Sequence, residues 1–295
     1  WCRRKGALLQ MEAYGTPALD MRSFAHAGSI MGESYDWKTF VASRWASSAA
    51  HQNGARTTSA EAWTWLRRPR YLATLEDLKT GADLHFACGV NKIIAHGFAY
   101  SPPPAGIPGW GYYASVMLND NHPLWPYFPK LSDYVRRASY ALSLGKPAVD
   151  VALYLPEEDV MAERPLDSGK NLYAAGLNLY MESKYRLGGG PTAEFSLPAA
   201  YQSESPVIRT LIASGFTFDG IDTSILREGL WAAAGRLEIG DAAYRIVILP
   251  GLTGISLPLL ERVAEFCRSG GMVIATRRLP SRVYGVRHGT EETDR

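Results

Sequence analysis

Arg56-Thr57-Thr58-Ser59-Ala60-Glu61, an amphipathic stretch from about Thr74 to Cys88, and then Gly89 and Asn91-Lys92-Ile93-Ile94-Ala95-His96 decide the fold. Each flanking segment has strand character and ends on a side chain capable of chemistry, a glutamate in one and a histidine in the other. Between them Glu76 and Asp77 stand in the first helical turn, where negative charge suits the helix dipole, and Gly89 closes the helix. A strand, a helix and a strand with polar ends make one unit of a parallel α/β architecture.

The same pattern extends in both directions. Upstream, Gly6-Ala7-Leu8-Leu9-Gln10-Met11-Glu12 reads as a strand ending on a carboxylate, with Tyr14-Gly15-Thr16-Pro17 as a breaker. Trp37 to His51 carries Phe40, Val41, Trp45 and Ala49 at helical spacing and is closed by Asn53-Gly54. Downstream of His96-Gly97, a long loop rich in proline, glycine and aromatics runs from Phe98 to Pro129, followed by a helix from Leu131 to Leu144. Three strand–helix units with polar strand ends suit the C-terminal part of a (β/α)8 TIM barrel, where catalytic groups project from the strand ends. Eight units take roughly 250 residues, so residues 1–146 are expected to form a partial barrel whose first strands lie upstream of Trp1.

At Lys146-Pro147 the pattern resets. Ala148-Val149-Asp150-Val151-Ala152-Leu153-Tyr154-Leu155-Pro156 is nearly continuous in apolar residues, as in a parallel strand buried on both faces. A helix around 205–214, the run Phe216–Ile221, a strand over 244–250, a helix Leu257–Ser269 and a strand over 271–275 complete an open doubly wound α/β domain over 147–295. Residues of about 163–205, with Gly188-Gly189-Gly190-Pro191, read as an insertion.

The chain has 295 residues, 46% hydrophobic and 20% charged, with 31 basic against 29 acidic side chains. That supports sizeable cores and excludes a disordered chain. The near-zero balance gives no footprint for nucleic acid, and no stretch approaches the roughly 18–20 apolar residues of a membrane span. Cys2, Cys88 and Cys267 show no paired spacing, and Cys88 and Cys267 read as small buried hydrophobes on helices.

Glu12 and Glu61 are the sharpest features: each is the acid at a strand end, followed by a small residue and an aromatic. Two such carboxyls across a barrel mouth are what glycoside hydrolysis requires, one as acid and one as base or nucleophile; a solvated strand-end charge is the plainer alternative. Glu33, in Met31-Gly32-Glu33-Ser34-Tyr35-Asp36-Trp37, reads as a loop residue before a helix that Ser34 or Asp36 caps. It could instead reach the mouth as a third carboxylate on sugar hydroxyls or a divalent cation. His96 reads either as a rim residue or as part of the site, and His51 as a favourable charge near a helix end. Trp63, Trp65, Tyr100, Trp110, Tyr112, Tyr113, Trp125, Tyr127 and Phe128 offer faces for sugar rings or simply pack. In the second half the turn Gly251-Leu252-Thr253-Gly254 holds no nucleophilic cysteine, Cys267 is inside a helix, and His288 is the only histidine after Asp150, so this domain reads as non-catalytic.

Gln10-Met11-Glu12-Ala13-Tyr14-Gly15-Thr16-Pro17, Gly32-Glu33-Ser34-Tyr35, Thr58-Ser59-Ala60-Glu61-Ala62-Trp63-Thr64-Trp65 and His96-Gly97 … Tyr100-Ser101-Pro102 together resemble glycoside hydrolase family 106. The resemblance implies an α-L-rhamnosidase acting on rhamnose-containing glycans by inversion, with Glu12 as acid and Glu61 as base. The two roles are exchangeable, and Glu33 is able to displace either. It further implies sugar contacts from Glu33, His96, Trp63, Trp65, Tyr100 and Trp110, Ca²⁺ near the sugar with Glu33 as a ligand, no organic cofactor, and a secreted or periplasmic location. The second half resembles the inactive class I amidotransferase-like domain that follows the barrel in such enzymes. On this reading the piece is not active alone. A β-galactosidase-like barrel glycosidase and a non-catalytic carbohydrate-binding piece remain the rival readings.

Overall fold

Thr74 begins the most clearly specified helix of the chain. In the computed structural model, which describes residues 1–12, 21–33, 41–65, 71–111, 116–156, 158–159, 206–228, 230–232 and 234–285, Thr74 Oγ1 accepts from Asp77 N at 3.1 Å. Asp77 Oδ2 in turn accepts from Thr74 N at 3.0 Å, so both orphan donors are satisfied in a capping box. The Tyr14–Pro17 breaker, the Ser34 or Asp36 cap, the start of the helix at Trp37, Tyr112, Tyr113, the insertion at 163–205, His288 and residues 286–295 lie outside the described residues. The chain forms two compact units. The first is Trp1–Glu12, Gly28–Ala50 and Ala55–Gly145; the second comprises the described residues within Ala13–Ala27, His51–Gly54 and Lys146–Arg295.

The first unit is built on β1 (Gln10–Glu12), β2 (Ser29–Glu33), β3 (Thr58–Ala62) and β4 (Lys92–Ala95), all parallel and in the order β1-β2-β3-β4. Helix α1 (Val41–Gln52) follows β2, α2 (Leu75–Ala87) follows β3 and α3 (Phe128–Leu142) follows β4. Sequential order means that the chain winds in one direction, as along a barrel wall. Leu78, Gly81, Ala82 and His85 form the buried stripe of α2 at helical spacing. It joins a core of Ala62, Trp63, Trp65, Ala73, Leu78, Ala82, Val116, Leu118 and Leu131. Glycine at 81 allows a close approach, since a Cβ there would lie 3.1 Å from Trp65 and 3.2 Å from Trp63. Cys88 is buried as expected, with its thiol pushed up to about 12 by burial, whereas Cys267 is exposed on its helix and not a core residue.

The expected loop around Glu33 is a strand. Ser29-Ile30-Met31-Gly32-Glu33 lacks an apolar run because it is the inner strand between β1 and β3, and two-sided pairing supplies the order that propensity does not. Four strands therefore stand where three were expected.

The second unit contains β5 (Val151–Tyr154), α4 (Pro206–Ala213), β6 (Phe218–Ile221), α5 (Thr223–Glu228), β7 (Leu230–Ala232), β8 (Arg236–Ile239), β9 (Ala242–Tyr244), β10 (Ile246–Pro250), β11 (Gly254–Ser256), α6 (Leu257–Arg268), β12 (Met272–Thr276) and β13 (Arg282–Tyr284). Its main sheet is parallel in the order β12-β10-β5-β6. The direction of winding reverses at β5, the signature of a doubly wound sheet, and β5 is buried throughout, as its apolar run requires. The antiparallel sheet β7-β8-β9 and the β11–β13 pair were not anticipated. Gly240-Asp241 between β8 and β9 is a two-residue hairpin signal that would have shown part of the former.

Candidate active site

In a parallel pair, residues in register present their side chains to the same side of the sheet, as do residues two apart on one strand. Glu33 is in register with Glu61, and Glu12 with Met31, two residues before Glu33. The carboxyls of Glu12, Glu33 and Glu61 therefore share one face at the C-terminal ends of β1, β2 and β3. Ile94 is in register with Glu61, so His96 extends the same face just past the end of β4.

The three carboxyls sit in unlike surroundings. Glu33 is buried, with 3% of its surface exposed. Glu12 Oε1 is buried without a hydrogen-bond partner among the described residues. Its carboxyl is pushed up from the ordinary 4.5 to about 8, first by burial and then by the negative charges of Glu33 and Glu61. At neutral pH Glu12 accordingly holds a proton. Glu61 Oε1 instead receives donors: the Thr64 hydroxyl donates to it at 2.7 Å, and His96 Nδ1 lies 3.1 Å away. Thr64 Oγ1 is also 3.1 Å from His96 Nδ1. Because the Thr64 proton is directed at Glu61, its contact with the imidazole is as acceptor, and Nδ1 carries the hydrogen.

Trp63 and Trp65 are not available to sugar. Both are in the core against α2, and the Trp63 indole donates to Leu78 O at 2.9 Å. Their apolar area and the backbone kink at Trp63, with φ of 68°, explain the inward turn. Tyr100 and Trp110 are exposed on the loop after β4, where Trp110 N donates to Ser101 Oγ at 2.8 Å. Phe98, Trp125 and Phe128 pack ring against ring. Sequence reading missed Thr64, for which the strand-end Glu61 three residues earlier was the available signal.

Calcium takes about 6–8 oxygen ligands. Among the described residues no three His, Cys, Asp or Glu side chains come together to hold an ion. The unpartnered Glu12 Oε1 is one atom that a cation would satisfy, and a proton satisfies it equally. The described residues alone do not make a calcium site.

Within the second unit the buried acids are fully engaged. Asp219 meets His51 Nδ1 at 2.9 Å and accepts from Tyr244 Oη at 3.0 Å. His51 is thus a partner of a buried aspartate rather than simply a charge at a helix end. Asp222 accepts from Met21 N, Ser224 Oγ and Ile225 N at 2.6, 2.6 and 3.0 Å. Asp159 accepts from Thr253 N, Gly254 N and Tyr284 Oη at 2.7, 2.8 and 2.7 Å.

A singly wound parallel sheet that gathers carboxyls on one face at its strand ends is compatible with the two-carboxyl chemistry of glycoside hydrolysis. The chain belongs to glycoside hydrolase family 106, whose family model, described as alpha-L-rhamnosidase, matches residues 11–171. Among solved structures it is similar to the rhamnosidase from Novosphingobium sp. PP1Y, with a TM-score of 0.61 and 20% identity over 93% of this chain and 24% of that one. A catalytic mutant of Gan42B, a GH42 β-galactosidase from G. stearothermophilus, matches with a TM-score of 0.49 and 12% identity over 92% of this chain and 37% of that one. These identities speak to fold alone, and the chain spans about a quarter of the length of the Novosphingobium rhamnosidase. No curated protein matches it. Among the described residues no helix is long and apolar enough to cross a membrane.

Proposed function

We propose that this chain contributes the catalytic carboxyls of an α-L-rhamnosidase that removes terminal α-L-rhamnosyl residues from plant or microbial glycans by inversion. The observation that carries the reading is the unlike treatment of two carboxyls on one face. Glu12 holds a proton at neutral pH, and Glu61 accepts from the Thr64 hydroxyl at an oxygen that lies 3.1 Å from His96 Nδ1. Glu12 protonates the glycosidic oxygen as the bond to the anomeric carbon breaks. Glu61 takes a proton from a water attacking the opposite face of the sugar, and exchange with solvent resets both groups. Strands about 4.8 Å apart put β1 and β3 roughly 10 Å apart at the backbone. Inverting enzymes hold their carboxyls about 6.5–9.5 Å apart and retaining ones about 5–5.5 Å, and inversion is what the resemblance to the family implies.

In this reading Glu33 contributes negative charge that keeps Glu12 protonated and offers an acceptor to sugar hydroxyls. Tyr100 and Trp110 offer exposed ring faces for stacking. The four parallel strands are part of a (β/α)8 barrel, and the second unit is an amidotransferase-like domain with no catalytic part. Calcium stays outside the steps: Glu33 would supply one oxygen to it. A secreted or periplasmic setting is what the resemblance to the family implies.

The test is the full-length enzyme on aryl α-L-rhamnoside and aryl β-galactoside, with and without a chelator. Rhamnoside hydrolysis with an inverted first product is the expected result. Cleavage of the galactoside alone would overturn the substrate assignment, and turnover of neither would leave a carbohydrate-binding role.

A further inference from the structure

We propose that Thr64 is the positioning residue of the base: with His96 it pins Oε1 of Glu61, so that Oε2 is the oxygen that receives the proton from water. The inference rests on the reading of Glu61 as base. Thr64 is 2% exposed, too buried to touch substrate itself. Its hydroxyl donates to Glu61 Oε1 and accepts from His96 Nδ1. A carboxylate oxygen that already accepts from a buried hydroxyl, with the imidazole that this hydroxyl engages 3.1 Å away, is a poorer acceptor for a further proton, which leaves Oε2 for the chemistry.

The backbone explains how a residue two positions past a strand end reaches back to it. Trp63 is in the left-handed region at φ 68°, and Trp65 N donates to Trp63 O at 2.9 Å, closing a tight turn around Thr64. The indole bond from Trp63 to Leu78 O and the burial of both tryptophans hold that turn against α2. On the other side His96 N donates to Ala62 O at 2.9 Å, continuing the β3–β4 ladder so that the imidazole stands beside Glu61. The two tryptophans thus serve the site from the core, as supports for Thr64.

The experiment compares Thr64→Val, Thr64→Ser and Glu61→Gln in the full-length enzyme on an aryl α-L-rhamnoside. Valine keeps the shape and removes the hydroxyl, so kcat should fall on the order of 10–100-fold, as for a misplaced reacting group, with KM and the circular dichroism spectrum unchanged. Serine restores the hydroxyl and should bring kcat back to near the wild-type value. In the Glu61→Gln background Thr64→Val should cost no more than about twofold, because a residue acting through Glu61 has nothing left to position. Full activity of Thr64→Val beside an inactive Glu61→Gln overturns the positioning role, as does a serine variant as slow as valine or a full additional loss in the double variant. Full activity of Glu61→Gln overturns the reading of Glu61 as base instead.

Discussion

Among the described residues, the two units treat their acids in opposite ways. In the sequentially ordered sheet, Glu12, Glu33 and Glu61 crowd one face, and Glu12 has a buried oxygen without a partner among the described residues. In the doubly wound unit, Asp159, Asp219 and Asp222 are buried, yet each is met by two or three donors. A satisfied buried carboxylate stabilises a fold; one left short of donors beside like charges is kept for chemistry.

The largest effect expected from this contrast is on turnover. Glu12→Gln or Glu61→Gln in the full-length enzyme should slow rhamnoside hydrolysis by about 10²–10⁴-fold with an unchanged circular dichroism spectrum. A variant that kept its rate would break the contrast on the catalytic side. Asp222→Ala should break it on the structural side: it strips the partner from Met21 N, Ser224 Oγ and Ile225 N and should cost about 2–4 kcal/mol, read as a lower unfolding midpoint. An unshifted midpoint would show that these bonds do not hold the fold.

pH sharpens the comparison further. Glu12 keeps its proton to about pH 8, whereas the unfolded chain releases it near 4.5. The native state therefore binds more protons across that window, and stability falls as pH rises through it. This contribution is complete below pH 4.5 and gone above about 8. Thermal midpoints measured across that range should decline in the wild type and flatten in Glu12→Gln, and turnover should fall as pH passes about 8. Equal slopes in the two proteins would refute the assignment. The smallest effect belongs to the capping box: Thr74→Ala should cost about 1 kcal/mol with catalysis untouched, as a denaturation midpoint paired with a rate would show.

Much of the frame was legible locally. Thr74, Asp77 and Gly89 mark helix α2 by capping chemistry, and the unbroken apolar run into Tyr154 marks a strand buried on both faces. Glu12 and Glu61 stood out because a lone acid at the end of a short strand is visible within a few residues. Glu33 was legible as a candidate carboxylate but read as a loop residue, since β2 owes its conformation to neighbours on both sides.

What the amino-acid order determined by itself was where elements start and stop and which strands end in carboxyls, because caps, breakers and periodicity act over a few residues. Only the tertiary structure decided which of those groups meet. Register between strands placed Glu33 beside Glu61, and packing of Trp63 and Trp65 under α2 turned Thr64 toward it. Burial with two like charges nearby then kept the proton on Glu12, an effect of distance in space that separation along the chain does not encode.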